Sequence, residues 1–136
     1  MKIFRSIWNE FIVRYPYFLW FVDDDSRLSD SFKDLIENEN TSSYLSVASL
    51  WEMSIKYNLG KLILEPSYDK FVEREVSATK VILLDIKLKH IKINASLPFH
   101  HRDPFDRIII AQSIAENIPI ITVDSAFHQY SINVIR

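Results

Sequence analysis

The 136-residue sequence predicts a single α/β domain of three layers, with a mainly parallel sheet between two layers of helices. Two observations support this fold class. Apolar, β-branched runs alternate with longer segments of helical periodicity, a pattern typical of parallel sheets. Two of these runs, Val81–Leu84 and Ile118–Val123, are mainly apolar, β-branched and bounded by polar residues, as strands buried on both faces of a parallel sheet are. A chain of this length holds one core, so residues 1–136 are assigned to one domain, with the register of residues 1–13 left open.

The first half of the chain contains two predicted strands and three predicted helices. They are the strand Phe11–Val13, the helix Ser29–Glu37 with Ser29 as N-cap, the strand Tyr44–Val47 after a polar loop at Asn38–Ser43, a helix opened by Ser49 and closed by Gly60, and a helix from Pro66 to about Ala78. Ser49 and Glu52 have the spacing of a capping box. Gly60 suits the left-handed backbone that ends a helix.

The second half continues the alternation of strands and helices. Two helices are predicted between the strands Val81–Leu84 and Ile118–Val123, and the second has Asp103 as N-cap and Pro104 as its first residue. A short helix from Ser125 and a final strand, Ile132–Ile135, complete the fold.

Composition excludes several classes of function. The formal net charge is −2, so no global positive field attracts nucleic acid and any RNA contact has to be local. The absence of cysteine excludes disulfides, thiolate metal sites and cysteine nucleophiles. The most apolar stretch, Phe11–Val22, is interrupted by Arg14 and Pro16 and is shorter than the ~20 residues of a membrane helix. We therefore expect a cytoplasmic protein that does not cross a membrane.

Three acids are predicted at turns that follow strands or open helices. Glu52 follows the second strand, Asp106 lies in the first turn of the Pro104 helix, and Asp124 follows Val123. Converging carboxylates need a hard cation, and oxygen ligands suit Mg²⁺ or Mn²⁺. Such a site would hydrolyse phosphodiesters, with Thr122 orienting a water or a ligand oxygen. Each acid alone has a structural alternative as a helix cap.

The segment His100–Gln112 reads His-His-Arg-Asp-Pro-Phe-Asp-Arg-Ile-Ile-Ile-Ala-Gln and resembles the hallmark of one branch of the VapC-like PIN-domain toxins. Further matches to this family are Ser49–Lys56, Leu59–Leu62 and Ile121–Phe127. The resemblance covers roughly the chain from Phe18 to Arg136.

The resemblance implies a PIN-like fold and cleavage of RNA with Mg²⁺ or Mn²⁺. Carried over by position, the family's metal-binding acids fall on Glu52, Asp106 and Asp124, the same residues that the fold argument selects. The family also implies a homodimer and a cognate antitoxin protein, a segment of which lies across or into the active site.

One position departs from the family pattern. The family opens with an apolar strand ending in Asp-Thr-His, whereas this chain continues from its first strand with Arg-Tyr-Pro-Tyr-Phe at residues 14–18. Arg14 thus stands where the first metal-binding aspartate belongs, and its fixed charge would neutralise the other carboxylates while opposing Mg²⁺.

The genetic code suggests an origin for this departure. The bases GAT-ACC-CAT-ATT-TT encode Asp-Thr-His-Ile and begin a Phe codon, and the same bases preceded by A read AGA-TAC-CCA-TAT-TTT, which encodes Arg-Tyr-Pro-Tyr-Phe. We therefore hypothesise a compensated pair of frameshifts between about Val13 and Phe18.

Other charged residues flank the proposed site. His100, His101, Arg102 and Arg107 would either contact phosphates or belong to a solvated loop. Asp103 lies beside the acids, although its place before Pro104 favours an N-cap role.

Three interpretations remain open from the residues and the resemblance. The first is a metal-dependent PIN-type endoribonuclease that uses Glu52, Asp106 and Asp124. The second is a catalytically silent PIN-like domain that binds an antitoxin or RNA because Arg14 disables metal binding. The third is a purely structural α/β domain in which all three acids are caps.

Overall fold

The computed structural model describes residues 9–136, and the predicted three-layer α/β/α fold is confirmed. The strands are β1 (Glu10–Val13), β2 (Ser42–Ser46), β3 (Ile82–Leu84), β4 (Ile120–Ile121) and β5 (Val134–Ile135). The helices are α1 (Tyr15–Val22), α2 (Asp30–Glu37), α3 (Val47–Asn58), α4 (Tyr68–Thr79), α5 (Leu88–Ala95) and α6 (Pro104–Glu116). A 3-10 helix, Ser125–Gln129, precedes β5. The alignment of the first residues with the family pattern was left undecided in the sequence analysis, and residues 1–8 lie outside the described residues.

The sheet is parallel and has the strand order β3-β2-β1-β4-β5, which places β1 at its centre. Val13 of β1 is in register with Leu45 of β2 on one side and with Ile121 of β4 on the other. From β1 the chain therefore adds β2 and β3 on one side of the sheet, and it then crosses back to add β4 and β5 on the other side. Such a reversal opens a crevice beyond the carboxyl ends of β1 and β4, where ligands bind in α/β sheets.

The two faces of β1 belong to two separate cores. Phe11 and Val13 join a core with residues of α1 to α4, whereas Ile12 joins a second core with residues of α3, α6 and the 3-10 helix. This division follows from the alternation of side chains along a strand. Each of the three residues is at most 1% exposed, and burial of such a side chain contributes roughly 1.5–3 kcal/mol.

The predicted helix ends at Ser29, Asp103 and Gly60 are confirmed. Ser29 Oγ accepts a hydrogen bond from the Phe32 amide, and Asp103 Oδ1 accepts from the amides at positions 105 and 106. Gly60 has a φ of +73°, the left-handed region that glycine adopts without strain. These ends were predictable because each depends on residues within one helical turn.

The predicted capping box of Ser49 and Glu52 is wrong. Helix α3 begins at Val47, and Ser46 is its N-cap, with its hydroxyl accepting from the Ala48 amide at 3.0 Å. Ser49 therefore lies in the first turn of the helix, and Glu52 has no capping role. Strand β2 correspondingly runs from Ser42 to Ser46, two residues earlier at its start and one at its end than predicted.

Other elements also differ from the prediction, and strands β4 and β5 have two residues each and are shorter than the predicted strands Ile118–Val123 and Ile132–Ile135. Helix α1 was not predicted, although Pro16 suits its first turn because the missing N–H there has no partner in a helix. Helix α4 begins at Tyr68, since Ser67 and not Pro66 provides its N-terminal cap. Strand β3 is an edge strand, and its Ile82 is 45% exposed, so the prediction of burial on both faces is wrong there.

No helix in residues 9–136 is long and apolar enough to cross a membrane.

Candidate active site at the carboxyl ends of β1 and β4

Four polar side chains reach the crevice from three different segments. Arg14 directly follows β1 and occupies the N-cap position of α1, while Thr122 directly follows β4. Asp124 is the N-cap of the 3-10 helix, where its Oδ1 accepts from the Ala126 amide at 3.0 Å. Asp106 lies in the first turn of α6. The strand order brings these segments together, although they are far apart in sequence.

The guanidinium of Arg14 is bound to Asp106 through both carboxylate oxygens. Its Nε lies 3.2 Å from Oδ1 and its Nη2 lies 3.3 Å from Oδ2. Nη1 donates to Thr122 Oγ1 at 3.0 Å, and the guanidinium lies 4.4 Å from the ring centroid of Phe127. The side chains of Arg14 and Asp106 are 11% and 9% exposed. This is a buried ion pair at two positions where the sequence resemblance led us to expect metal-binding acids.

Thr122 holds the arginine and the loop after β4 in place. Besides Arg14, its Oγ1 accepts from the Asp124 amide at 3.0 Å and lies 3.4 Å from the Tyr17 hydroxyl. The Tyr17 hydroxyl in turn accepts from the Val123 amide at 3.1 Å. The lone pairs of Thr122 Oγ1 are thus committed to Arg14 and to the backbone. The predicted role of Thr122 in orienting a water or a ligand oxygen stays a prediction.

His101 joins the cluster from the loop before α6. Its Nδ1 accepts from the Asp103 amide at 3.3 Å, so the neutral ring carries its proton on Nε2. Nε2 lies 3.0 Å from Asp106 Oδ2 and 4.0 Å from Asp124 Oδ2, and the angles there do not make a hydrogen bond. The nearest ligand atoms of the histidine and the two aspartates lie within 4.8 Å of one another. The sequence indicated His101 only as a possible phosphate contact.

Glu52 is not part of the cluster formed by His101, Asp106 and Asp124. Its carboxylate pairs with Lys56 of the same helix at 3.4 Å, and Lys56 Nζ donates to the Tyr15 hydroxyl at 2.9 Å. Burial raises the pKa of Glu52, and the negative charge of Asp103 raises it further. Glu52 is therefore near enough to Asp103 and Asp106 to be affected by their negative charges, although its own carboxylate is paired with Lys56.

The pKa of Asp106 is also raised, chiefly by burial. The positive charge of Arg14 opposes that rise, and the charge of Asp103 adds to it. The ion pair with Arg14 thus offsets part of the free energy that is needed to keep this carboxylate charged inside the protein.

The side chains as arranged do not fit a divalent cation. Mg²⁺ and Mn²⁺ need several free oxygen ligands. Both oxygens of Asp106 contact Arg14, the protonated nitrogen of His101 faces the same carboxylate, and Asp124 has only Oδ2 free of a hydrogen bond. A fixed positive charge in the crevice opposes a second one. A cation would therefore need Arg14 to leave Asp106.

Arg107, predicted as a possible phosphate contact, is buried and holds the loop before α6. Its Nη1 donates to the carbonyls of Pro98 and His101 at 2.9 and 3.2 Å, and its Nη2 donates to the Leu97 carbonyl at 3.0 Å. The guanidinium also lies 4.0 Å from the centroid of the Phe99 ring. This geometry favours a structural role for Arg107. Arg102, in contrast, is exposed and remains the candidate for phosphate contact.

Substitution of Arg107 by methionine is expected to destabilise the protein by roughly 3 kcal/mol, because three carbonyls lose a buried donor. Urea denaturation monitored by circular dichroism would measure the change. The exposed Arg102→Met is the matched control and should leave the free energy of unfolding nearly unchanged. Equal stability of the two variants, with weaker RNA binding only for Arg107→Met, would support the phosphate role instead.

The model of the PIN domain family matches residues 17–133 of this chain. Among solved structures, the chain is similar to the crystal structure of VapBC2 from Rickettsia felis bound to a DNA fragment from their promoter. The identity is 14%, the alignment covers 93% of this chain and 97% of that chain, and the TM-score is 0.69, so the likeness concerns the fold. No curated protein matches the sequence.

Proposed function

The chain belongs to the PIN-domain family, and on that premise we propose that it is an endoribonuclease of the VapC toxin class whose metal-dependent activity is held low by Arg14. The observation that carries the proposal is the buried pair of Arg14 and Asp106 inside a crevice of acids. The cluster of acids supports the proposal that the crevice hydrolyses phosphodiesters. The ion pair of Arg14 with Asp106 supports the proposal that this activity is low.

Hydrolysis of a phosphodiester in a site of this kind depends on a divalent cation. Arg14 supplies a positive charge next to Asp106, but a guanidinium has no open coordination position and does not activate water. We therefore expect weak binding of Mg²⁺ and Mn²⁺. The assignment of Glu52, Asp106 and Asp124 as catalytic, metal-binding acids remains a prediction. It requires that Arg14 leave Asp106, because both carboxylate oxygens of Asp106 contact Arg14.

A second candidate function is a silent PIN domain that acts only as a binding module. The observation that favours it is the packing of Arg14, whose side chain is 11% exposed and is held by Asp106, Thr122 and Phe127. In both proposals the partners are RNA, an antitoxin protein and a second copy of the chain, and the location is the cytoplasm. The similar VapBC2 structure is in line with an antitoxin partner.

The experiment that separates the two functions is cleavage of a labelled single-stranded RNA by the purified chain, measured with Mn²⁺ in large excess and again with a chelator. Slow cleavage that needs Mn²⁺ and disappears in Asp124→Asn supports the impaired nuclease. RNA binding without any cleavage above that of Asp124→Asn supports the silent module. Asp30→Asn, which changes an exposed acid in α2, is the matched control for the loss of one charge.

A further inference from the structure

Two exposed aromatic rings lie beside the candidate active site. Of the Phe, Tyr and Trp side chains in residues 9–136, only those of Trp51 and Phe99 are largely exposed, at 57% and 80%. Trp51 precedes Glu52 in the first half of α3, and Phe99 lies in the loop before α6. An exposed ring leaves a large apolar surface in water, and a ligand that covers it gains the free energy of burying that surface.

Each exposed ring is held in place by a residue adjacent in sequence to Asp106. Trp51 packs on Phe105 in a T-shaped arrangement, with ring centroids 4.9 Å apart and an angle of 82° between the planes. Phe99 packs on Arg107, whose guanidinium lies 4.0 Å from the ring centroid. Arg107 is buried and bound to three backbone carbonyls, so it covers one face of the Phe99 ring and leaves the other open to solvent.

The two rings lie on opposite sides of Asp106 around the axis of α6. Successive residues of an α-helix are rotated by about 100° around its axis. Phe105 and Arg107 therefore point away from Asp106 in opposite senses, and each has an exposed ring packed against it. The rings thus flank the part of the crevice that Asp106 occupies.

The charges near the crevice favour bases over phosphates as the main contact for RNA. The formal net charge is −2 and the crevice holds two aspartates, so the attraction of phosphates that dominates many nucleic-acid complexes is weak. Arg102 is exposed and lies three residues from both Phe99 and Phe105 in sequence, so it supplies one local cation for a phosphate. Aromatic rings bind bases by stacking, which does not depend on the charge of the backbone.

We propose that Trp51 and Phe99 each stack on a base of single-stranded RNA, one on either side of the phosphate that lies at the crevice. This inference rests on the proposed function in taking RNA as the ligand, and it adds the residues that hold the bases. The faces of bases within a duplex are covered by their neighbours, whereas those of unpaired bases are available to aromatic side chains. The two rings therefore select unpaired RNA.

Binding of a fluorescently labelled single-stranded RNA, measured by anisotropy with a chelator present so that no metal-dependent cleavage occurs, tests this proposal. Trp51→Leu and Phe99→Leu should each weaken binding about tenfold, because each removes the stacking of one base. Trp51→Phe and Phe99→Tyr keep an aromatic ring and should bind nearly as the unaltered chain does. Ile63→Ala is the matched control, since Ile63 is 82% exposed and lies beyond the opposite end of α3.

An RNA of the same length with abasic sites in place of its bases separates stacking from contacts with the backbone. It should bind more than about tenfold more weakly than the normal RNA, and the leucine substitutions should not weaken its binding further. Equal binding of the two RNAs, or unchanged binding of the normal RNA by either leucine variant, would overturn the proposal. So would the absence of RNA binding by the unaltered chain.

A protein contact is the main alternative for Trp51, because Ile55 and Leu59 continue the exposed apolar face of α3. A dimer that dissociates in Trp51→Ser on size-exclusion chromatography, with RNA binding unchanged, would overturn the proposal and assign the ring to a second copy of the chain.

RNA cleavage with Mn²⁺ tests the proposed function separately from the stacking sites. Binding that depends on the bases and on both rings, without any cleavage, would support the stacking sites and contradict the nuclease. Cleavage by the unaltered chain that neither leucine substitution changes, together with unchanged binding, would support the nuclease and overturn the stacking sites.

Discussion

Replacement of Arg14 by aspartate is expected to tighten Mn²⁺ binding about a hundredfold or more and to raise RNA cleavage by a comparable factor. The substitution removes a cation that contacts both oxygens of Asp106 and adds a carboxylate in the same crevice. Changing one charge in a buried cluster shifts free energies by several kcal/mol, and a hundredfold change needs only about 2.8 kcal/mol. Aspartate is also favoured at the N-cap position of α1, where arginine accepts no hydrogen bond.

Isothermal titration calorimetry with Mn²⁺ and an RNA cleavage assay would measure the two gains. Arg27→Asp is the matched control, since it makes the same change of charge at a residue whose side chain is 66% exposed. It should alter neither quantity. The double variant Arg14→Asp with Asp124→Asn should bind RNA and fail to cleave it. Tight Mn²⁺ binding by the unaltered chain would contradict the role assigned to Arg14.

The parts of the fold that the sequence predicted are those determined by neighbouring residues. Ser29 and Asp103 cap helices because their side chains reach amides two or three positions later. The alternation of strands and helices predicted the layers for the same reason. Helix α1 was missed because its residues are apolar on all sides and carry no periodic pattern, and its start depends on where β1 ends in the sheet.

Several of the predictions that failed depend on contacts between distant segments. Strand β3 is as apolar as β4, and only its place at the edge of the sheet leaves Ile82 exposed. Arg107 and Arg102 are identical in type and close in sequence, and only the fold makes one buried and the other exposed.

The candidate site was predictable only in part, because Glu52 lies outside the cluster and His101 was expected only as a possible phosphate contact. The turns that follow strands or open helices indicated Asp106 and Asp124, and the resemblance to the family placed Arg14 where an aspartate was expected. The pairing of Arg14 with Asp106, residues 92 positions apart, follows from the meeting of β1 with α6 and was not visible in the sequence. The orientation of His101 depends equally on the loop that Arg107 holds.

Substitution of Arg14 by methionine is the second change with a large expected effect, this time on stability. Methionine retains an unbranched apolar stem but leaves the Asp106 carboxylate without its guanidinium partner. Removing one partner of a buried ion pair destabilises a protein by roughly 3–5 kcal/mol, because the other charge stays buried without compensation. We expect the lower end of that range near pH 7, because His101 Nε2 remains 3.0 Å from the carboxylate.

The destabilisation should depend on pH in a defined direction. Burial raises the pKa of folded Asp106, and Arg14 opposes the rise, so the pKa is raised further in Arg14→Met. A carboxyl whose pKa is higher in the folded state binds its proton more readily there than in the unfolded state. Stability is therefore lost as the pH rises through the folded pKa, and it is regained as the pH falls towards the ordinary carboxyl range.

Urea denaturation of Arg14→Met and of the unaltered chain at several pH values between 5 and 8, a range that lies about one unit or more above the ordinary aspartate pKa, would measure this dependence. The difference in the free energy of unfolding should shrink towards the acid end. The double variant Arg14→Met with Asp106→Leu should recover most of the loss, because removal of both partners leaves no buried charge. A loss that is independent of pH, or that persists in the double variant, would mean that Arg14 stabilises the crevice by packing on Phe127 and not by pairing with Asp106.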